Sequence, residues 1–66
     1  MKIKVGTQFD YSDLSVPKVA TITKIIVNDR QPDKTVIWFQ DETSEFFMPL
    51  YQLRNWIRNG TWTAKN

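Results

Sequence analysis

From Lys18 to Met48 the chain reads as three apolar-rich runs, KVATITKIIV, TVIWFQ and EFFMP, separated by the polar stretches NDRQPDK and DETS. Alternation of apolar and polar residues is the mark of a half-buried strand. β-Branched and aromatic side chains favour the same conformation. The pattern therefore predicts a three-stranded meander around which the rest of the chain is arranged. Within it, Val19 to Val27 forms the longest strand, and its inward face is ambiguous because both alternating sets carry three apolar residues. A bulge near Lys24–Ile25 resolves this, since one extra residue exchanges the two faces. Ala20 and Ile22 then point inward first, and Ile25 and Val27 afterwards. Asn28 to Lys34 is expected to be a solvated hairpin loop, Thr35 to Gln40 a strand, Asp41 to Ser44 a tight connection and Glu45 to Met48 the next strand.

The flanks follow the same logic. Lys2 to Phe9 alternates, with Ile3, Val5, Thr7 and Phe9 on one face and Lys2, Lys4, Gly6 and Gln8 on the other. This predicts a first strand, bulged or bent at Gly6. Asp10 to Pro17 (DYSDLSVP) is expected to be a loop, because Asp and Ser bond to nearby backbone and compete with strand ladders. Pro49 opens a short helix, where its missing N–H costs nothing. Leu50, Leu53, Trp56 and Ile57 there span an arc of about 120°, the stripe of a core-facing helix. Gly60 supplies a left-handed stop. Thr61 to Thr63 is expected to form a short last strand, and Ala64 to Asn66 to fray. The expected architecture is a mainly β, single domain over residues 1–66, a small five-stranded, partly open barrel with one short helix before the last strand. The expected core is Ile3, Val5, Phe9, Ile22, Ile25, Ile37, Phe39, Leu50, Leu53 and Ile57.

This order of elements resembles SH3-like barrels. The residues carrying the resemblance are Val5-Gly6-Thr7-Gln8-Phe9, Ala20-Thr21-Ile22-Thr23-Lys24-Ile25, Val36-Ile37-Trp38-Phe39 and Met48-Pro49-Leu50. The pattern is similar to the small SH3-like or Tudor-like products of phages and mobile elements. It is a likeness of element order, with no specific family motif. True SH3 domains carry a tandem Trp pair and a later Pro and Tyr that build a groove for Pro-rich peptides. This chain lacks them, so the resemblance implies a barrel and not that groove.

Composition narrows the chemistry. A chain of 66 residues leaves room for one domain with a small core. The absence of Cys excludes a disulfide framework and thiolate metal sites, and the absence of His removes the commonest general base near neutral pH. The expectation is a cytoplasmic protein with no cofactor, no metal and no membrane segment, a monomer or weak homodimer. Ser12, Ser15 and Ser44 have no His to activate them. The carboxylates fall in three loop clusters, Asp10 with Asp13, Asp29 with Asp33, and Asp41 with Glu42 and Glu45. Such residues more often shape turns than catalyse, so no catalytic residue is assigned and the chain is expected not to be an enzyme.

Two binding surfaces remain. The leading expectation is nucleic-acid binding through a basic strip of Lys2, Lys4, Lys24, Arg54 and Arg58, with Trp38 and Tyr51 stacking on bases. The formal net charge of only +2 gives this little weight, and acidic loops on the same body would repel phosphate. The alternative is a protein-interaction module, an adaptor or an inhibitor. Trp38, Phe39, Phe46 and Phe47 cannot all face inward, because neighbours in a strand point to opposite sides. If Phe39 is in the core, Trp38 is outside it, and Trp38, Phe47 and Tyr51 become candidates for an exposed aromatic interface.

Overall fold

The computed structural model describes residues 3–65. Five strands, β1 (Gln8–Asp13), β2 (Val16–Ile26), β3 (Val36–Gln40), β4 (Glu45–Pro49) and β5 (Thr63–Lys65), form one antiparallel sheet in the order β4-β3-β2-β1-β5. One α-helix, α1 (Leu50–Arg58), precedes the last strand, and a single 3-10 turn at Pro32–Lys34 lies in the β2–β3 connection. The fold is therefore mainly β with the expected strand number and helix position. The sheet is open, with β4 and β5 as its edges.

The central meander forms as the alternation requires. In β3 Ile37 and Phe39 are buried, while Val36, Trp38 and Gln40 take the other face. Strand β2 changes face as expected, at a bulge one residue earlier than the expected Lys24–Ile25. Its register to β3 shifts between Ile22 and Lys24, leaving Thr23 as the extra residue. Ala20 and Ile22 are buried before the shift, and Ile25 packs on the core after it. Val27, expected inward, lies beyond the end of the strand and is exposed.

The N-terminal third differs from expectation. Lys4 to Thr7 is a turn, closed by the Thr7 N–H donating to the Lys4 carbonyl at 3.0 Å, with Gly6 at φ 95°. The turn ends the alternation that marked Lys2 to Phe9 as a strand, and it leaves Val5 59% exposed instead of in the core. Strand β1 begins at Gln8 and runs through the stretch expected to be a loop. It pairs with β2 up to Asp13↔Val16, so only Leu14 and Ser15 form the connection. Both have positive φ, 51° and 69°, the conformation of the two-residue turn that matches strand twist. The alternation of Phe9 and Tyr11 against Asp10 and Ser12 outweighs the local preferences of Asp and Ser, because cross-strand pairing satisfies this backbone.

Helix α1 is seated by its neighbours. Pro49 ends β4 and serves as the N-cap rather than the first helical residue. The Leu50 N–H donates to the Thr35 carbonyl at 2.7 Å, which satisfies one of the donors a helix start leaves open. Leu53 is fully buried, with Leu50, Trp56 and Ile57 packed beside it. At the other end Gly60 takes φ 83°. The Thr61 N–H and hydroxyl both donate to Asn59 Oδ1, and the Trp62 N–H donates to the Trp56 carbonyl at 3.1 Å. This locked turn aims Trp62 back beneath the helix. Residues 63–65, partly expected to fray, pair with β1 as β5.

Trp62 is the centre of the core. Its ring lies 5.7 Å from Phe9, 4.7 Å from Tyr11, 5.0 Å from Phe39, 6.0 Å from Phe46 and 5.3 Å from Trp56. These rings come from β1, β3, β4 and α1, so the open sheet curls around one side chain. The sequence-based core omitted it, together with Met48.

Candidate functional site

The outer face of the β2–β3–β4 half carries an apolar row. Cross-strand pairing places Lys24 opposite Trp38, and Trp38 opposite Phe47. The next rung is Ile26, Val36 and Pro49. The Trp38 and Phe47 rings lie 4.8 Å apart at 38°, the contact expected of a directly opposed pair. Phe47 is 59% exposed and Ile26 46%. Thr23, Lys24, Trp38 and Glu45 line a shallow recess of about 430 Å³ on the same face. The rule that adjacent aromatics face opposite ways thus sorts the four rings. Phe39 and Phe46 stack at 5.4 Å on the core side, and Trp38 and Phe47 pack at a tilt outside.

The expected basic strip is not one surface. Lys2 lies outside the described residues. Lys4 is exposed in the turn before β1. Lys24 faces outward beside Trp38, whereas its neighbour Ile25 lines a cleft on the other side of the sheet. Arg54 and Arg58 line that same cleft, against Ile25 and the helix stripe. Arg54 Nη1 donates to Asp33 Oδ1 at 3.2 Å, in a pair with both side chains more than half exposed, so the pair contributes little to stability. Arg58, in the last turn of α1, also complements the negative end of the helix dipole. Tyr51 is half exposed on the first turn of α1, two residues beyond the Pro49 that closes the apolar row.

The acidic residues serve structure. Asp41 Oδ1 accepts the N–H groups of Thr43 and Ser44, both at 2.8 Å, and shapes the β3–β4 turn. Its Oδ2 accepts the Tyr11 hydroxyl at 2.6 Å. These donors, Tyr11 first, hold the Asp41 carboxyl well below the usual carboxylate range. Burial, then the hydrogen bond and charge of Asp41, push the Tyr11 phenol well above its ordinary value. Both shifts follow from one short contact that ties β1 to the β3–β4 turn. Asp13 pairs with Lys18 across the β1–β2 hairpin at 3.6 Å. Among the described residues no cluster of His, Cys, Asp and Glu could hold a metal ion, and no helix is long and apolar enough to cross a membrane.

Sequence reasoning missed the cleft beneath α1. Its aliphatic floor was assigned to the core and its arginines to a separate strip. The signal was the position of Arg54 and Arg58 beside Leu50 and Ile57 on one helix. No family model matches the chain, and neither the curated proteins nor the solved structures contain a match to it.

Proposed function

We propose that this chain is a non-enzymatic, cytoplasmic binding domain that docks a protein partner through the outer face of β2, β3 and β4. The observation that carries this reading is the tilted pair of half-buried Trp38 and exposed Phe47 on the outer sheet face, continued by Ile26, Val36 and Pro49. Phe47 and Ile26 stand exposed beside half-buried Trp38, Val36 and Pro49, and an apolar row that reaches water on a sheet face marks an interaction surface. Trp38 is the natural anchor, since it is large, held by its neighbour and flanked by polar groups that form a rim. The partner is a protein presenting its own apolar cluster, with polar groups to meet Lys24 and Glu45. The strand order, with a helix before the closing strand, supports an SH3-like small barrel.

The test is capture of a purified partner by the wild-type domain and by two double variants. Trp38→Ala with Phe47→Ala should weaken binding by about 2 kcal/mol or more, roughly thirtyfold. Arg54→Ala with Arg58→Ala should leave it unchanged. Equal binding by the Trp38/Phe47 variant would discard the reading.

A second reading has one specific support. Lys24 stands on the same rung as Trp38, an arrangement that lets a base stack while an ammonium meets its phosphate. Single-stranded DNA or RNA would then bind with strong salt dependence, and Lys24→Glu would abolish binding. No binding at low salt would remove this alternative.

A further inference from the structure

Beneath α1, on the inner side of β2 and β3, lies an open cleft of about 580 Å³. Its floor is aliphatic, formed by Ile3, Ile25, Ile37, Leu50 and Ile57, and its charged lining among the described residues is Arg54 and Arg58. The two arginines are four residues apart on the helix, so their side chains rise from one flank, with Cβ atoms about 5–6 Å apart. An apolar floor under two guanidinium groups, with no carboxylate among the described lining residues, has the charge and polarity of an amphipathic anion in reverse.

We propose that this cleft is a binding site for an aliphatic carboxylate, with the hydrocarbon chain on the isoleucine and leucine floor and the carboxylate between Arg54 and Arg58. The volume falls within the range of roughly 300–1,000 Å³ usual for small-molecule sites. The arginines are free to take such a ligand. Arg54 holds Asp33 through one contact between exposed groups, and a bidentate carboxylate is a stronger partner than that. Releasing Asp33 to water leaves no buried charge behind. Arg58 makes no ion pair among the described residues.

The lining also selects against other anions. Among its described residues there is no aromatic ring on which a base would stack. Apart from the guanidinium groups, its described side chains offer only the Thr35 hydroxyl, and that oxygen already accepts the Asn28 N–H at 3.1 Å. The guanidinium groups donate but do not accept, so the N–H groups of a peptide would lose water on this floor with few acceptors to meet them, whereas a hydrocarbon chain has none to satisfy. The site is separate from the Trp38–Phe47 face, which lies on the opposite side of the sheet.

The test is a titration of the whole chain with decanoate, below its micelle concentration, followed by methyl and amide chemical shifts. The expected result is saturable binding with shifts at Ile3, Ile25, Ile37, Leu50 and Ile57. Arg54→Gln with Arg58→Gln should weaken it by roughly tenfold or more, and decanol should bind more weakly than decanoate by a similar factor. Both arginines are surface residues, and an unchanged circular dichroism spectrum will confirm that the variant folds. No saturable shift up to millimolar decanoate would overturn the proposal. So would shifts that survive in the double variant or that centre on Trp38 and Phe47.

Discussion

Tyr11 and Asp41 show how a single contact makes stability depend on pH at both extremes. The Asp41 carboxyl is depressed in the folded chain by the Tyr11 hydroxyl and by the N–H groups of its own turn. In acid the unfolded chain therefore takes up this proton first, near the ordinary carboxylate value of about 4. The stabilisation is complete above that value and is lost as pH falls below it. The Tyr11 phenol is raised, so in base the unfolded chain loses its proton first, near the ordinary value of about 10, and the stabilisation falls as pH climbs past that point. Urea unfolding midpoints should decline at both ends in the wild type. Asp41→Asn should flatten the acid limb and Tyr11→Phe the alkaline limb. Limbs of unchanged slope in these variants would show that the contact does not carry the dependence.

A second residue-scale prediction concerns the β1–β2 turn. Leu14 and Ser15 both hold left-handed backbone, which costs a side chain roughly 1 kcal/mol per residue relative to Asn or Gly. Leu14 is also almost fully exposed, so its side chain contributes no packing. Leu14→Asn with Ser15→Gly should raise stability by about 1–2 kcal/mol, measured as a higher unfolding midpoint at constant denaturant slope.

At the scale of elements, legibility followed periodicity. The strands β3 and β4 and the α1 stripe were readable because hydrophobic spacing alone determines which face each one buries. The bulge in β2 was readable for the same reason, since without it the two faces of that strand conflict. The β1–β2 hairpin was not. Its turn residues, Leu14 and Ser15, lack the Asn-Gly chemistry that usually marks such a turn, and the Asp and Ser of β1 favour loops when considered one at a time. Extending the alternation from Phe9 to Tyr11 would have found the strand. Lys2 to Phe9 failed in the opposite sense, because alternation continued across a residue, Gly6, whose positive φ ends the strand geometry. The candidate site divided likewise. That Trp38 and Phe47 share an exposed face follows from strand alternation, whereas the separation of Lys24 from Arg54 and Arg58 depends on where α1 docks. Within α1 the decisive residue is Leu53, fully buried under the helix. Leu53→Ala should cost about 2–5 kcal/mol, enough to unfold much of a domain this small. Phe47→Ala on the exposed face should cost about 1 kcal/mol or less. Equal losses would contradict the assignment of the two faces.

At the scale of the whole molecule the question is what curls an open sheet. Among the described residues β4 and β5 are its edges and do not pair with each other, so no ladder of hydrogen bonds between them closes the sheet. Closure rests on side chains. Trp62 sits between rings from β1, β3, β4 and α1 while its own N–H donates to the helix. It therefore links the two ends of the sheet to one another and to α1. Trp62→Phe retains an aromatic ring but loses the area that reaches from one edge to the other. Trp62→Ala leaves a void the surrounding rings cannot fill without shifting. The alanine variant should lose about 3–5 kcal/mol, a large fraction of the stability available to a chain of this length. Its near-ultraviolet circular dichroism, which reports fixed aromatic packing, should collapse. The phenylalanine variant should keep that signal with a reduced unfolding midpoint. Because Trp62 joins elements instead of supporting one, hydrogen exchange in the Phe variant should accelerate together at β4, β5 and α1 while the β2–β3 centre stays protected. Acceleration confined to β5 would mean that Trp62 merely anchors the last strand and that the sheet holds its curl without it.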